Sequence, residues 1–463
     1  MSRFRCLAIL LALTTLAFLN SNAQQTLAPT PPMGWNSWDA YGLTIDEAQF
    51  RANVQVLASL KQYGWQYAVI DEGWYMQDPF ASHRTEQKYV FDANGRLIPA
   101  ANRFPSSAGN ASLKPIADWV HSQGLKFGIH LIRGIPKESV ERNTPIAGSS
   151  FTAKQAADTT DLCPWDEGNY GIKDNEAGQA WYDSMIGLYA GWGVDFLKVD
   201  CISNHTYKPS EIKQIHRAIL KSGRPIVLSL SPGPTAIEAE DVVSQNSQMW
   251  RISDDHWDVW ADDHKSKDGT GDFPFTTRDA FDRLAKWNPY AKPGNWPDED
   301  MLPFGSLTPH PGWQKARESR LTHDEERTEF TLWAIAHSPL ILGANLTKLD
   351  DFTRSLITNK DVIAVSQTTV KSGPGLLSMR DGDSSPDPQQ VWYAETGDST
   401  PKHYLAVFNR GDQPADWQIP WLAFHLADKP HSVFDLWNQK HIPSAPKLHV
   451  TLAPHACALY RVE

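Results

Sequence analysis

Eight short apolar runs recur along the chain, at positions 34–38, 67–71, 126–132, 195–201, 225–230, 249–253, 295–301 and 339–344, the seventh being the weakest. Runs of this length predict strands. Amphipathic stretches lie between them, for example at 44–60, 177–192, 210–221, 279–287 and 322–337, and these predict helices. The last opens on Thr322 with Glu325 three residues on, a capping-box signature. Regular β-then-α alternation implies a parallel sheet with helices covering it, and eight such units are the number that closes a (β/α)8 TIM barrel.

The texture changes after about Gln367. The 371–390 region is rich in Gly, Ser, Asp and Pro, and beyond it short runs at 391–394, 403–409, 432–435 and 448–462 predict strands separated by turns. The expected organisation is a barrel over 24–367 followed by a small C-terminal antiparallel β-sandwich domain over 368–463. Ahead of both, Arg3 and Arg5 precede an apolar run and the small residues Ser21-Asn-Ala23. That pattern predicts a signal peptide over 1–23, cleaved after Ala23, and hence a secreted or periplasmic protein.

The formal charge of −11 argues against nucleic acid or anionic lipid as a partner, and no other run is long and apolar enough to predict membrane insertion. Nineteen tryptophans leave room for some to stack on a pyranose face, although core packing is the commoner use of that ring. No Cys or His spacing resembles a zinc site, so no metal is expected and no cofactor is required. An exported chain can hold a disulfide, and Cys163 with Cys201 is the expected pair because both fall in loops on one barrel face. Cys457, in an apolar terminal strand, is expected to be a buried free thiol.

In a parallel barrel the strand C-termini converge on one face, so acids distant in sequence can flank one bond. Asp195-Phe-Leu-Lys-Val-Asp200 ends one strand on a carboxylate, with Lys198 on the same side by period-two alternation. A nearby cation keeps a carboxylate ionised, as a nucleophile requires, although a structural ion pair would look the same. Trp250-Arg-Ile-Ser-Asp-Asp255 ends another, where Asp254 and Asp258 crowd Asp255 with like charge and Arg251 is near. Such crowding keeps an acid protonated, yet an acidic loop is more often plain solvated surface. Asp71 and Glu72 end a third strand, at positions suited to hydroxyl recognition or to capping a loop. A nucleophilic carboxylate facing a protonated one is the equipment for cutting a glycosidic bond with retention.

In order along the chain stand Pro32-Met-Gly-Trp-Asn-Ser-Trp38, Ile70-Asp-Glu-Gly-Trp74, Phe127-Gly-Ile-His130, Leu197-Lys-Val-Asp200, Arg251 with Asp255, and Asp298-Glu-Asp300-Met-Leu. Together these closely resemble the α-galactosidase (melibiase) family of retaining glycoside hydrolases, which also holds α-N-acetylgalactosaminidases. The resemblance implies Asp200 as nucleophile and Asp255 as acid/base. It implies contacts to the sugar from Trp38, Asp71, Glu72, His130, Lys198, Ser231 and Arg251, and a Cys163–Cys201 disulfide at the active face. The expected substrate is a galactose-containing oligosaccharide or polysaccharide.

Some positions depart from the family pattern. Glu72 stands where many relatives have a second aspartate, and its extra methylene crowds the region of C6, which makes β-L-arabinopyranose an alternative sugar. Ser231 lies in a loop of small residues that resembles sites admitting an N-acetyl group. His130 replaces a tyrosine, and Cys201 follows Asp200 without the usual intervening residue. A non-catalytic carbohydrate-binding protein is the competing class, since a fold alone does not fix chemistry.

Overall fold

The structure is a computed structural model that describes residues 26–80, 88–261, 275–308, 315–376 and 389–463. The expected signal peptide and most of the Gly/Ser/Pro-rich stretch lie outside the described residues. Eight strands form one parallel sheet: β1 (Met33–Asn36), β2 (Tyr67–Ile70), β3 (Lys126–Ile132), β4 (Phe196–Asp200), β5 (Val227–Leu230), β6 (Met249–Arg251), β7 (Trp296–Asp298) and β8 (Leu340–Leu342). Their hydrogen-bonded order is β7-β6-β5-β4-β3-β2-β1-β8. The (β/α)8 expectation is met, with most strands ending a residue or more before the apolar run does. Trp38 accordingly opens a single helical turn, Trp38–Tyr41, instead of ending β1.

The seam of the barrel is irregular for a local reason. β7 stops at Asp298, Asp300 takes a φ of 91°, and pairing resumes at Leu302, which bridges Leu342 in parallel. There the Leu302 N–H donates to the Ile341 carbonyl at 2.7 Å and its carbonyl accepts from Gly343 N–H at 3.0 Å. Elsewhere the strands approach closely. A Cβ at Gly34 would stand 2.5 Å from the Tyr67 carbonyl oxygen, so β1 and β2 can lie as they do only with glycine there.

The principal helices are α1 (Glu47–Leu60), α2 (Lys114–Ser122), α3 (Glu176–Trp192), α4 (Pro209–Ser222), α5 (Glu240–Asn246), α6 (Thr277–Trp287), α7 (His323–Ala336), α8 (Asp351–Ile357) and α9 (Lys360–Thr368). Their start signals act as the sequence indicates. Thr322 and Glu325 form the capping box of α7, and Asp46 with Gln49 forms one at α1. Trp35, Trp65, Trp74, Trp181, Trp250 and Trp333 are fully buried, so much of the tryptophan content serves the core. Among the described residues no helix is long and apolar enough to cross a membrane.

The antiparallel part begins at β9 (Thr369–Pro374) and continues through β10 (Gln389–Thr396), β11 (His403–Asn409), β12 (Ala415–Pro420), β13 (His431–Asp435), β14 (Lys440–Ala445), β15 (Lys447–Leu452) and β16 (Cys457–Val462). One sheet has the order β9-β10-β11-β16-β13-β14, and β12 pairs with β15 in a second. Side chains alternate between two cores, as period two requires. Val391, Leu405 and Val407 pack against Ile419, Trp421, Leu448 and Val450, whereas Trp392, Ala406 and Phe408 join the core of the barrel. Cys457 is a buried free thiol, its pKa pushed up by burial to about 11.

Candidate active site

The strand ends of β2, β3 and β4 build one side of the site. Parallel register sets His130 beside Lys198 and Ile132 beside Asp200, so the two polar side chains of β3 and β4 flank the Asp200 carboxylate. His130 Nε2 lies 2.8 Å from Asp200 Oδ2, and Lys198 Nζ lies 3.8 Å from the same oxygen. Lys198 donates a shorter bond, 2.9 Å, to Asp71 Oδ2, which also accepts from Asn36 Nδ2 at 2.6 Å. Burial alone would raise both carboxyls, but Lys198 and His130 outweigh it and hold Asp200 and Asp71 below the ordinary carboxylate range. Asp200 is therefore an ionised group at neutral pH, with Oδ2 engaged by His130 and the Ser231 side chain helping to hold the charge.

The loop beyond β6 builds the other side. Asp255 keeps 34 % of its side chain exposed, and its backbone N–H donates to Asp254 Oδ1 at 2.9 Å. Arg251 ends β6 but turns mainly to Asp300, 2.6 Å away, and approaches Asp255 only to 3.4 Å. With the cation drawn aside, the protein packed around Asp255 raises its carboxyl pKa, and the charges of Asp254 and Asp200 raise it further. Asp300 is itself raised to about 7, by burial first and then by Asp255 and Asp298. One side of the site thus favours a carboxylate and the other a carboxylic acid.

Lys198 and Asp200 lie on β4 and Arg251 ends β6, Asp71 and Glu72 follow β2 directly, and Trp38 lies in the helical turn after β1. Glu72 is buried beside Asp71, Trp38 is half-buried, and Ser231 is buried just past β5 next to Asp200. Cys163 and Cys201 form a disulfide. Cys201 has a φ of 62°, a left-handed turn immediately after Asp200, where relatives are expected to have one more residue.

Asp258 differs from expectation. Its carboxylate receives Arg317 Nε at 2.9 Å and Arg320 Nε at 3.1 Å, so its charge is neutralised there and the crowding of Asp255 comes from Asp254 and Asp200 instead. Sequence reasoning also passed over Asn36, Asp298 and Asp300 as site groups. The acidic run at 298–300, at the end of the weakest strand, was the available signal. Beneath these residues the barrel interior narrows to a cavity of about 20 Å³ bordered by Asn36, Lys198, Ser229, Arg251, Asp298 and Asp300. That is room for about one water molecule and too little for a sugar ring.

The comparisons with known proteins agree with this architecture. A family model described as alpha galactosidase A matches residues 30–140 and 166–368, and one described as the alpha galactosidase C-terminal beta sandwich domain matches 386–462. The alpha-galactosidase A of Cellvibrio japonicus is 27% identical over 456 residues, which cover 95% of this chain and 93% of that protein. Among solved structures, a β-L-arabinopyranosidase from Geobacillus stearothermophilus is 37% identical with a TM-score of 0.85, over 94% of this chain and 97% of that one. Alpha-galactosidase I from Mortierella vinacea is 25% identical with a TM-score of 0.70, over 95% and 98% respectively.

Proposed function

The chain belongs to the α-galactosidase family, and on that premise we propose that it is a retaining glycoside hydrolase that releases terminal α-linked D-galactose, with Asp200 as nucleophile and Asp255 as acid/base. Asp200 attacks the anomeric carbon through a carboxylate oxygen. The glycosidic C–O bond breaks as Asp255 passes its proton to the leaving oxygen. Asp255, now ionised, takes a proton from water, the resulting hydroxide attacks the anomeric carbon, and the Asp200 ester opens. Two inversions give net retention. Lys198 and His130 keep the nucleophile ionised, and together with Asp71 they face the sugar hydroxyls.

The observation that carries this reading is the contrast between the two carboxylates, one clamped by Lys198 and His130 and the other beside Asp254 with its arginine turned to Asp300. Asp200→Asn is expected to lower kcat on nitrophenyl α-galactoside by about 10³-fold or more, since the covalent intermediate is lost. Wild-type turnover in that variant overturns the assignment.

One observation favours a second sugar. Glu72 is buried at the strand-two acid pair, and its extra methylene takes space that C6 of galactose would need, while the Geobacillus protein of similar fold is a β-L-arabinopyranosidase. A methylene changes discrimination by about 1–3 kcal/mol, enough to reverse a preference between galactose and its C6-less counterpart. Nitrophenyl glycosides of α-galactose, β-L-arabinopyranose and α-N-acetylgalactosamine decide the matter by their kcat/KM ratios, the last reporting on the small loop at Ser231.

The same reading takes 24–367 as the catalytic unit and 368–463 as a C-terminal β-domain, supported by an antiparallel sheet that starts at Thr369. Export after cleavage at Ala23 rests on the leader pattern. N-terminal sequencing of protein recovered outside the cytoplasm tests it.

A further inference from the structure

Three loops meet at one corner of the mouth, and two of the residues they bring there, Trp165 and His205, have no part in the chemistry at the anomeric carbon. Trp165 follows Cys163 by two residues in the connection between β3 and α3, and the disulfide to Cys201 anchors that connection to the exit of β4. His205 lies in the loop after β4 with a left-handed backbone φ of 61°. Its ring stands perpendicular to the Trp165 indole with centroids 5.7 Å apart. His205 Nε2 reaches Asp254 Oδ2 at 2.8 Å. The other oxygen of Asp254 accepts the backbone N–H of Asp255. A continuous row therefore runs from the proposed acid/base outward: Asp255, Asp254, His205, Trp165.

This row has the chemistry of a sugar platform. The Trp165 side is 37 % exposed in a chain whose other indoles largely fill the core, and an exposed indole face is what a pyranose stacks on. The His205–Asp254 pair beside it offers a donor and an acceptor to hydroxyls at the ring edge, with the His205 side chain 40 % exposed. The row starts at the residue that must protonate the departing oxygen, so a group seated on it is the one that leaves. An isolated exposed tryptophan would carry no such meaning. Here the ring is fixed by a disulfide and joined through two side chains to the backbone of Asp255.

We propose that Trp165 and His205 form the leaving-group subsite, taking a pyranose whose apolar face lies on the Trp165 indole and whose hydroxyls meet His205 and Asp254. This rests on the hydrolase reading above. A sugar linked to the scissile oxygen is then held through ring stacking and one polar pair.

The test compares a disaccharide, galactose α-1,6-linked to glucose, with α-galactosyl fluoride, whose leaving group has no ring. For Trp165→Ala the ratio of disaccharide to fluoride kcat/KM is expected to fall about five- to tenfold, chiefly through KM, as loss of one aromatic stacking contact predicts. Trp165→Phe, which keeps a stacking face, is expected to recover most of it. A ratio unchanged in Trp165→Ala, or lowered to the same extent in Trp165→Phe, overturns the subsite. If the wild-type chain hydrolyses neither the galactosyl nor the arabinopyranosyl fluoride, the hydrolase reading fails first and the subsite falls with it.

Discussion

The two flanks of the site contain the same functional group in opposite settings. On the β2–β4 flank, Asp200 sits on a strand end, with Lys198 two residues earlier on the same strand and His130 delivered by register from β3. On the β6–β7 flank, Asp255 sits beyond the strand in a loop, and its surroundings are assembled from Asp254, Arg251 and the kinked segment at Asp300. Regular backbone thus supplies the carboxylate whose pKa is lowered and irregular backbone the one whose pKa is raised. A nucleophile needs only a fixed cation, which a strand ladder places well. An acid that later becomes a base needs a cation near enough to tolerate the charge yet engaged elsewhere, and that requires a third group.

The largest expected effect breaks the first flank. Lys198→Ala removes the cation that contributes most to keeping Asp200 ionised and leaves Asp71 without its 2.9 Å partner. We expect kcat/KM to fall by about 10²- to 10³-fold. The sign of the pH effect is fixed: Asp200 must be ionised, its pKa rises without Lys198, and so the acidic limb of the kcat/KM profile moves to higher pH. A variant with reduced activity but an unshifted acidic limb shows that Lys198 acts on the sugar alone and does not set the nucleophile.

The second flank gives a smaller and opposite response. In Asp300→Asn the 2.6 Å ion pair to Arg251 is weakened, freeing the guanidinium to turn toward Asp255 and stabilise its carboxylate. The acid/base pKa then drops, and the basic limb of kcat/KM moves to lower pH, with activity at neutral pH falling about tenfold. Substrates with an excellent leaving group need little protonation, so nitrophenyl substrates should suffer less than disaccharides. An upward or absent shift of the basic limb removes Asp300 from the account of how Asp255 is tuned.

These two flanks were not equally legible in the sequence. The strand-borne residues, Asp71, Glu72, His130, Lys198 and Asp200, lie where period-two alternation and apolar runs predict, because strand geometry is local and repeats. Asp255 was reached through its motif, and its surroundings were misread in part: Asp258 looks like a neighbour in sequence but is drawn away by Arg317 and Arg320, which come from a segment about sixty residues on. Asp300 stands within one of the motifs yet gains no site role from it, because β7 is the weakest strand and a positive φ at a non-glycine residue leaves no mark in composition. The fold itself was legible in both parts, since eight buried runs with covering helices and then alternating β-runs have few other solutions. What resisted reading was loop-to-loop pairing, as in His205 with Asp254, whose partners are brought together only by closure of the barrel.

The smallest effect concerns stability, and the same contrast sets its direction. Asp200 and Asp71 have depressed pKa values in the folded state, so their contribution is present above the ordinary carboxylate pKa and is lost as pH falls through the folded values. Asp300 behaves inversely. Its folded pKa of about 7 lies above the unfolded value of about 3.9, so the unfolded chain releases this proton first and stability declines between those two pH values. His130, whose pKa is raised by Asp71 and Asp200 against the effect of burial, adds a loss as pH rises through its folded value. The wild-type Tm should therefore fall modestly from pH 4 to 7. Asp300→Asn should be less stable at pH 4, where it loses a partner for Arg251, yet show a flatter decline up to pH 7 because the group that titrates is gone. An equally steep decline in the variant assigns the slope to His130 and the other raised carboxyls, and leaves Asp300 ionised throughout.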